Sequence, residues 1–129
     1  MTAHLLSGAN RQSAFEAAHS TCDRASDPMR MRLDRAINSP ECDVEPTGHV
    51  LDTLEVALWS FMRSTDLESS LVLAVNQGGD ADAVGAVCGT LAGAHWGYSA
   101  IPTRWKETLL DSDRLCQTAD SLLELALDG

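Results

Sequence analysis

Four glycines recur at every fourth position, at Gly85, Gly89, Gly93 and Gly97. Residues four apart share one face of an α-helix, so this spacing predicts a helix with a stripe that carries almost no side chains. Each glycine inside a helix costs about 1 kcal/mol relative to alanine. We therefore expect another backbone to approach the stripe closely, because close packing would restore the stability that helix propensity loses here.

Two aspartates, Asp80 and Asp82, precede this helix and directly follow Gly78 and Gly79. Side chains two residues apart in a helix are rotated by about 200°, so both aspartates can aim at one point only if Asp80 lies before the first turn. The two glycines permit the sharp turn that this arrangement needs. Carboxylate and water oxygens suit Mg²⁺ or Mn²⁺, which makes the pair a candidate metal site. The alternative is that Asp80 caps the helix and Asp82 complements its dipole.

Helical spacing of apolar residues and the positions of proline and glycine predict further helices. They span residues 13–24, 27–37, 51–63, 67–75 and 112–127, with a short helix after Pro102 and a loop over 39–48. Thr65 and Glu68 match a capping box for the helix at 67–75. The segment 112–127 is the clearest amphipathic one. With no comparable strand pattern and no linker, the sequence predicts a single all-α domain over residues 1–129.

Charge and cysteine content exclude several classes of protein. The formal net charge is −10 and Lys106 is the only lysine, which is unfavourable for binding nucleic acid or an anionic membrane surface. The chain has neither an uncharged run long enough to cross a bilayer nor a leader-like start, so we expect a cytoplasmic protein. Its four cysteines lack metal-binding spacing and are expected to be reduced, with Cys88 packed inside the fold.

Three ordered motifs together carry a family resemblance. They are Gly79-Asp80-Ala81-Asp82 with Gly85-Ala86 and Gly93-Ala94-x-x-Gly97; the segment Gly48 to Trp59, which contains Asp52-Thr53; and Ile101-Pro102-x-x-Trp105. In their order along the chain they resemble the C-terminal signature of the ADP-ribosylglycohydrolase family over residues 40–115. The resemblance implies a compact, orthogonal helical domain and a two-metal site of Mg²⁺ or Mn²⁺ with Asp80 and Asp82 among its ligands. The family's enzymes remove ADP-ribose from modified side chains or related small molecules.

Two departures from the family pattern limit this expectation. Ala83 stands where the family has a threonine that also serves the metal, and no Thr-Asp-Asp motif of the family's N-terminal half precedes Asp80. We therefore expect metal-assisted hydrolysis of an ADP-ribosyl linkage that is incomplete in this chain alone. The chain is then a truncated form, a split-gene product that needs a complementing N-terminal polypeptide, or a catalytically inactive helical module for binding or assembly. Apolar faces left uncovered by the missing half would favour a homodimer.

An ADP-ribose ligand would be anionic, and the chain offers few cations to bind it. The N–H groups of Gly78 and Gly79 at the positive end of the glycine helix could contribute, and Trp96 could pack near a base or ribose. Alternatively, the glycine turn only ends the preceding helix and Trp96 is a packing anchor. Asp52 belongs to the family motif, but solvent exposure is the commoner fate of an acidic pair such as Asp52 and Glu55.

Overall fold

The structure is a computed structural model that describes residues 1–21 and 27–128, and those ranges contain eight α-helices. They are α1 (Thr2–Leu6), α2 (Arg11–Thr21), α3 (Asp27–Asn38), α4 (Val50–Arg63), α5 (Leu67–Val75), α6 (Ala81–Trp96), α7 (Thr103–Thr108) and α8 (Ser112–Leu127), with a 3₁₀ turn at Tyr98–Ala100. No strand occurs in these ranges, and the all-α prediction is confirmed. Cys22 and the end of the predicted helix at 13–24 lie outside the described residues.

Helix α4 lies at the centre of the fold. The sequence indicates one core face on this helix, but α3, α5 and α6 all pack against it, and burial extends around most of its circumference. Val56, Ala57 and Phe61 are fully buried, and Asp52 and Glu55 are buried as well. The polar residues of α4 therefore need partners inside the protein rather than in water.

Arg63 and Trp59 of α4 fix the end of α3 and the beginning of the loop at 39–49. The guanidinium of Arg63 stacks 4.9 Å from the centre of the Trp59 ring and donates to the carbonyl of Ala36 at 2.8 Å. It also donates to the carbonyls of Ile37 and Ser39, and the Trp59 Nε1–H donates to Ser39 at 3.1 Å. These bonds satisfy carbonyls that the last turn of α3 leaves without helical partners.

The glycine stripe packs less closely than the sequence predicts. A Cβ added at Gly85 would lie 3.1 Å from Val75 Cγ1, and one at Gly89 would lie 3.5 Å from Leu71 Cδ2, so side chains of α5 rather than its backbone occupy this half of the stripe. At Gly93 an added Cβ would meet no described atom within 4 Å. The expectation of a backbone packed along the whole stripe is therefore wrong.

The capping box of α5 begins one residue later than the sequence indicates. Asp66, not Thr65, is the N-cap: its carboxylate accepts from the Ser69 amide at 2.7 Å, and the Ser69 hydroxyl accepts from the Asp66 amide at 3.3 Å. An Asp side chain with Ser three residues later provides the same reciprocal pairing as Thr with Glu.

Helix α8 forms over the predicted range but buries no residue in the described part of the chain. Its apolar stripe includes Leu115, Leu122 and Leu123, which are 54%, 62% and 59% exposed. Amphipathic spacing predicts the helix correctly without identifying the surface that its apolar face contacts. Among the described helices, none combines the length and the hydropathy that crossing a bilayer requires.

Candidate metal centre

Asp80 and Asp82 lie at the beginning of α6, with Asp80 just before the first turn and Asp82 within it. A hydrogen bond between their carboxyl groups raises the pKa of Asp80 above its ordinary value and lowers that of Asp82. Partial desolvation and the charge of Asp82 raise the pKa of Asp80 further. Two carboxyl groups that shift each other's pKa in this way lie close to one another. The structure thus brings together the two side chains for which the sequence predicts a metal.

The capping alternative does not describe Asp80. In the described part of the chain its side chain makes no hydrogen bond of capping geometry, although the nearby Ala83 amide slightly offsets the raised pKa of Asp80. The position of Asp80 is fixed instead by its own backbone, because its N–H donates to the carbonyl of Pro46 at 2.9 Å. The loop before α4 therefore determines where the acidic pair lies.

Two glycines form a cradle around Asp80. Gly79 has a φ of +58°, and a Cβ added there would lie 2.0 Å from the Pro46 carbonyl oxygen. Gly48 has a φ of +83°, and a Cβ added there would lie 3.1 Å from Asp80 Oδ2. Only glycine combines a positive φ with such close approaches. The absence of a side chain at Gly48 therefore keeps the space beside Asp80 Oδ2 open.

Asp52 and Thr53, the residues of the second family-like motif, are both buried in the first turns of α4. Asp52 Oδ1 forms an ion pair with Arg32 at 2.9 Å, and Asp52 Oδ2 accepts from the Thr47 hydroxyl at 2.7 Å. Asp52 thus binds protein groups through both of its oxygens. The structure therefore does not add Asp52 to Asp80 and Asp82 as a third ligand.

Glu55 extends this ionic network. Its carboxylate forms ion pairs with Arg32 at 2.7 Å and with Arg35 at 3.3 Å. Solvent exposure, the commoner fate of such a pair, is thus wrong for both Asp52 and Glu55. The arginines at positions 32 and 35 of α3 match the acidic spacing on α4, and that complementary charge was the sequence signal that could have identified the network.

The predicted ligand-binding residues are divided between the two ends of α6. Gly78 lies near Asp80, but its N–H donates to Val75 at the end of α5, at 3.2 Å. Its amide therefore ends a helix, which was the alternative to ligand binding. Trp96 is the last residue of the 16-residue helix α6, about 24 Å from its beginning. There it packs against Phe61 at 5.5 Å, so the structure does not bring Trp96 to the acidic pair.

The acidic pair suits part of a divalent metal site. No group of three or more His, Cys, Asp or Glu side chains that could hold a metal occurs among residues 1–21 and 27–128. Two carboxylates nevertheless provide the oxygen ligands that Mg²⁺ and Mn²⁺ favour, and Mg²⁺ commonly retains several waters. The open cradle at Gly48 is consistent with a ligand beside Asp80. Ala83, by contrast, contributes only a methyl group at the next position.

Comparison with known proteins places this geometry in a family. Residues 1–128 match the family model described as ADP-ribosylglycohydrolase, a longer range than the motifs at 40–115 cover. The ADP-ribosylarginine hydrolase Tri1 of Serratia proteamaculans is 33% identical over 126 residues, which cover 95% of this chain and 33% of that protein. The ADP-ribosyl-[dinitrogen reductase] glycohydrolase of Rhodospirillum rubrum is 37% identical over 64% of this chain and 29% of that protein.

A solved structure shows the same fold. The chain described as an ADP-ribosylglycohydrolase-related protein complex aligns with a TM-score of 0.63 and 39% identity, over 78% of this chain and 36% of that one. The chain studied here spans about a third of the length of the curated relatives that it matches. The match over nearly all described residues, together with the acidic pair at the start of α6, shows that the chain belongs to the ADP-ribosylglycohydrolase family.

Proposed function

We propose that this chain contributes Asp80 and Asp82 to a Mg²⁺ or Mn²⁺ centre of an ADP-ribosyl hydrolase, and that a second polypeptide completes the centre. The observation that supports this most directly is the placement of Asp80 just before the first turn of α6 and of Asp82 within it, close enough that each carboxyl group shifts the pKa of the other. The glycine cradle at Gly48 and Gly79 supports it further, because it keeps Asp80 accessible from the side of the loop.

The charge of the chain explains why a cation would be needed. ADP-ribose carries a negative diphosphate, and the chain itself has a formal net charge of −10. Two carboxylates would repel that ligand unless a cation lay between them. A bound divalent cation would polarise an attacking water and hold ribose hydroxyls for cleavage of the bond from ribose C1″ to the leaving group. Asp80 and Asp82 would hold the cation that orients these groups.

The need for a second polypeptide follows from what the described residues provide. They contain no third acidic, histidine or cysteine ligand beside the pair, and Ala83 has no oxygen to offer. The apolar stripe of α8 is exposed, as expected of a surface that another protein covers. We propose a complementing polypeptide that provides the remaining ligands; a homodimer is the other way to cover this stripe. Unpaired thiols at Cys42, Cys88 and Cys116 agree with a cytoplasmic location.

Ala83 and the two-ligand pair also support a second candidate. In this view the chain is a catalytically inactive helical module that retains the family fold for binding or assembly. The two candidates differ in hydrolysis, which is measured with the completing polypeptide present. Metal binding is measured on the isolated chain.

Titration calorimetry with Mn²⁺ tests the metal centre. We expect the native chain to bind Mn²⁺ and the Asp80→Asn, Asp82→Asn double variant to lose binding, because an amide cannot provide carboxylate charge. Asp111 and Asp113 provide the matched control, since they occupy the same N-cap and first-turn positions at the start of α8. Their double Asn variant should bind as the native chain does. Equal binding by both double variants would contradict the proposed centre.

Release of ADP-ribose from a peptide with an ADP-ribosylated arginine tests the reaction. We expect release only when the rest of a family enzyme is added as a separate polypeptide, and only with Asp80 and Asp82 intact. Release that does not depend on these aspartates would contradict the mechanism. Metal binding without release under any combination would favour the inactive module. Light scattering of the isolated chain at micromolar concentration tests the homodimer, which a stable monomer would refute.

A further inference from the structure

Thr47 lies between the two residues that contact Asp80 from the loop before α4. Pro46 accepts the Asp80 N–H at 2.9 Å, and Gly48 packs beside Asp80 Oδ2. We refer to residues 46–48 as the clip. Pro46 is fully buried, whereas Thr47 and Gly48 are exposed. The exposed half of the clip therefore depends on specific bonds rather than burial to keep its shape.

The Thr47 hydroxyl provides such bonds. It donates to Asp52 Oδ2 at 2.7 Å and accepts the His49 N–H at 3.4 Å. Asp52 is itself held, because it is only 9% exposed and its other oxygen forms an ion pair with Arg32 at 2.9 Å. A hydrogen bond to a buried, ionised carboxylate is stronger than one between neutral groups. The clip is thus attached through one hydroxyl to the ionic network between α3 and α4.

We infer that Thr47 and Asp52 are positioning residues for Asp80: the Asp52 carboxylate holds Thr47, Thr47 shapes the clip, and the clip sets the place and direction of the Asp80 carboxylate. This inference rests on the metal role proposed for Asp80. Positioning is a function that the buried Asp52 of the family-like motif can have without being a metal ligand, since both of its oxygens already bind protein groups. Residues that orient metal ligands from behind commonly change affinity by about 10- to 100-fold when they are lost.

The variants Thr47→Val and Thr47→Ser separate positioning from general stability. Valine keeps the shape of threonine but removes the hydroxyl, whereas serine keeps the hydroxyl. Glu55→Gln is the matched control, because Glu55 shares Arg32 with Asp52 but forms no hydrogen bond with Thr47 in the described structure. We expect Glu55→Gln to lower the unfolding temperature and to leave the clip in place.

Two measurements are made on each variant: the Mn²⁺ dissociation constant by calorimetry, and hydrogen exchange of the Asp80 amide by NMR without metal. For Thr47→Val we expect the dissociation constant to rise about tenfold and the Asp80 amide to exchange about tenfold faster, with little change in unfolding temperature. Thr47→Ser should restore both values. Glu55→Gln should leave both within about twofold of the native chain.

The outcomes distinguish this inference from the proposed function. If Thr47→Val matches the native chain in both measurements, or if Glu55→Gln reproduces its effects, positioning by Thr47 is refuted while the metal centre stands. If the native chain binds no Mn²⁺, the proposed centre is refuted. The Asp80 exchange rate in Thr47→Val then decides by itself whether the clip is held through the Thr47 hydroxyl.

Discussion

Replacing Gly79 with alanine should damage the loop that holds Asp80 far more than the same change at its neighbour. Gly79 has a φ of +58°, and a new Cβ would lie 2.0 Å from the carbonyl oxygen of buried Pro46. A carbon and an oxygen atom that are not covalently bonded cannot lie this close, so the backbone of residues 78–80 or of Pro46 must move. Either movement stretches the 2.9 Å hydrogen bond from the Asp80 N–H to Pro46.

The expected magnitude follows from three contributions. A left-handed conformation costs a non-glycine residue about 1–2 kcal/mol, and alanine recovers about 0.4–1 kcal/mol by restricting the unfolded chain. Disrupting the bond to Pro46 costs about 1–3 kcal/mol, because it leaves a buried carbonyl without its partner. Gly79→Ala should therefore lower the free energy of unfolding by about 1–5 kcal/mol, the sum of these opposing contributions.

Gly78→Ala is the matched control. Gly78 also has a positive φ, +78°, but a Cβ added there would meet no described atom within 4 Å. The first two contributions are common to both variants. The difference in unfolding free energy between Gly79→Ala and Gly78→Ala therefore isolates the close approach to Pro46. Urea unfolding followed by circular dichroism, at one protein concentration, should separate the variants by about 2 kcal/mol, or roughly 1 M in midpoint. Midpoints that agree within error would refute the account of the cradle.

Three further predictions concern parts of the fold away from the cradle. Asp66→Ala should be less stable than the native chain at pH 7, and the difference should vanish as the pH falls through the pKa of Asp66, which the Ser69 amide lowers below its ordinary value. Asp66→Asn, which retains a cap, should be less affected at pH 7. Thermal unfolding should show Gly93→Ala to be more stable than the native chain by about 1 kcal/mol. Gly85→Ala should gain less stability, because its new methyl group would lie 3.1 Å from a Val75 methyl group. Burial raises the pKa of the Cys88 thiol to about 11, so Cys88 should resist alkylation until the chain unfolds. Labelling of Cys88 before unfolding, detected by mass spectrometry of its peptide, would contradict this prediction.

The helices could be predicted where local signals were strong. Proline and glycine delimit the loop at 39–49, and periodic apolar residues mark α4 and α8, so these elements were placed to within a residue or two. The five-residue helix α1 was not predicted, since so short a segment shows little periodicity. The capping box was placed one residue early because Thr65 and Asp66 are both good caps. Sequence spacing alone does not determine which of two adjacent caps the backbone selects.

The candidate site could be predicted only where its residues are neighbours in sequence. The turn that Gly78 and Gly79 permit allowed Asp80 and Asp82 to share a direction, and in the structure each carboxyl group shifts the pKa of the other. The contacts of Pro46 and Gly48 with residues 79 and 80 join segments more than 30 positions apart, and no local pattern encodes them. The same holds for the partners of Asp52, which could be recognised only after α3 and α4 had been packed together.

The acidic pair and the exposed stripe of α8 together constrain the size of a completing partner. The hydrogen bond that raises the pKa of Tyr98 joins it to Cys116, so the start of α8 lies just beyond the C-terminal end of α6. Asp80 and Asp82 lie at the opposite end of this 16-residue helix, about 24 Å away. A partner that covers the beginning of α8 and also brings ligands to Asp80 must span that length, which is close to the diameter of a small domain. An extended segment of about eight residues reaches that far, so this distance sets a minimum length for the proposed complementing polypeptide.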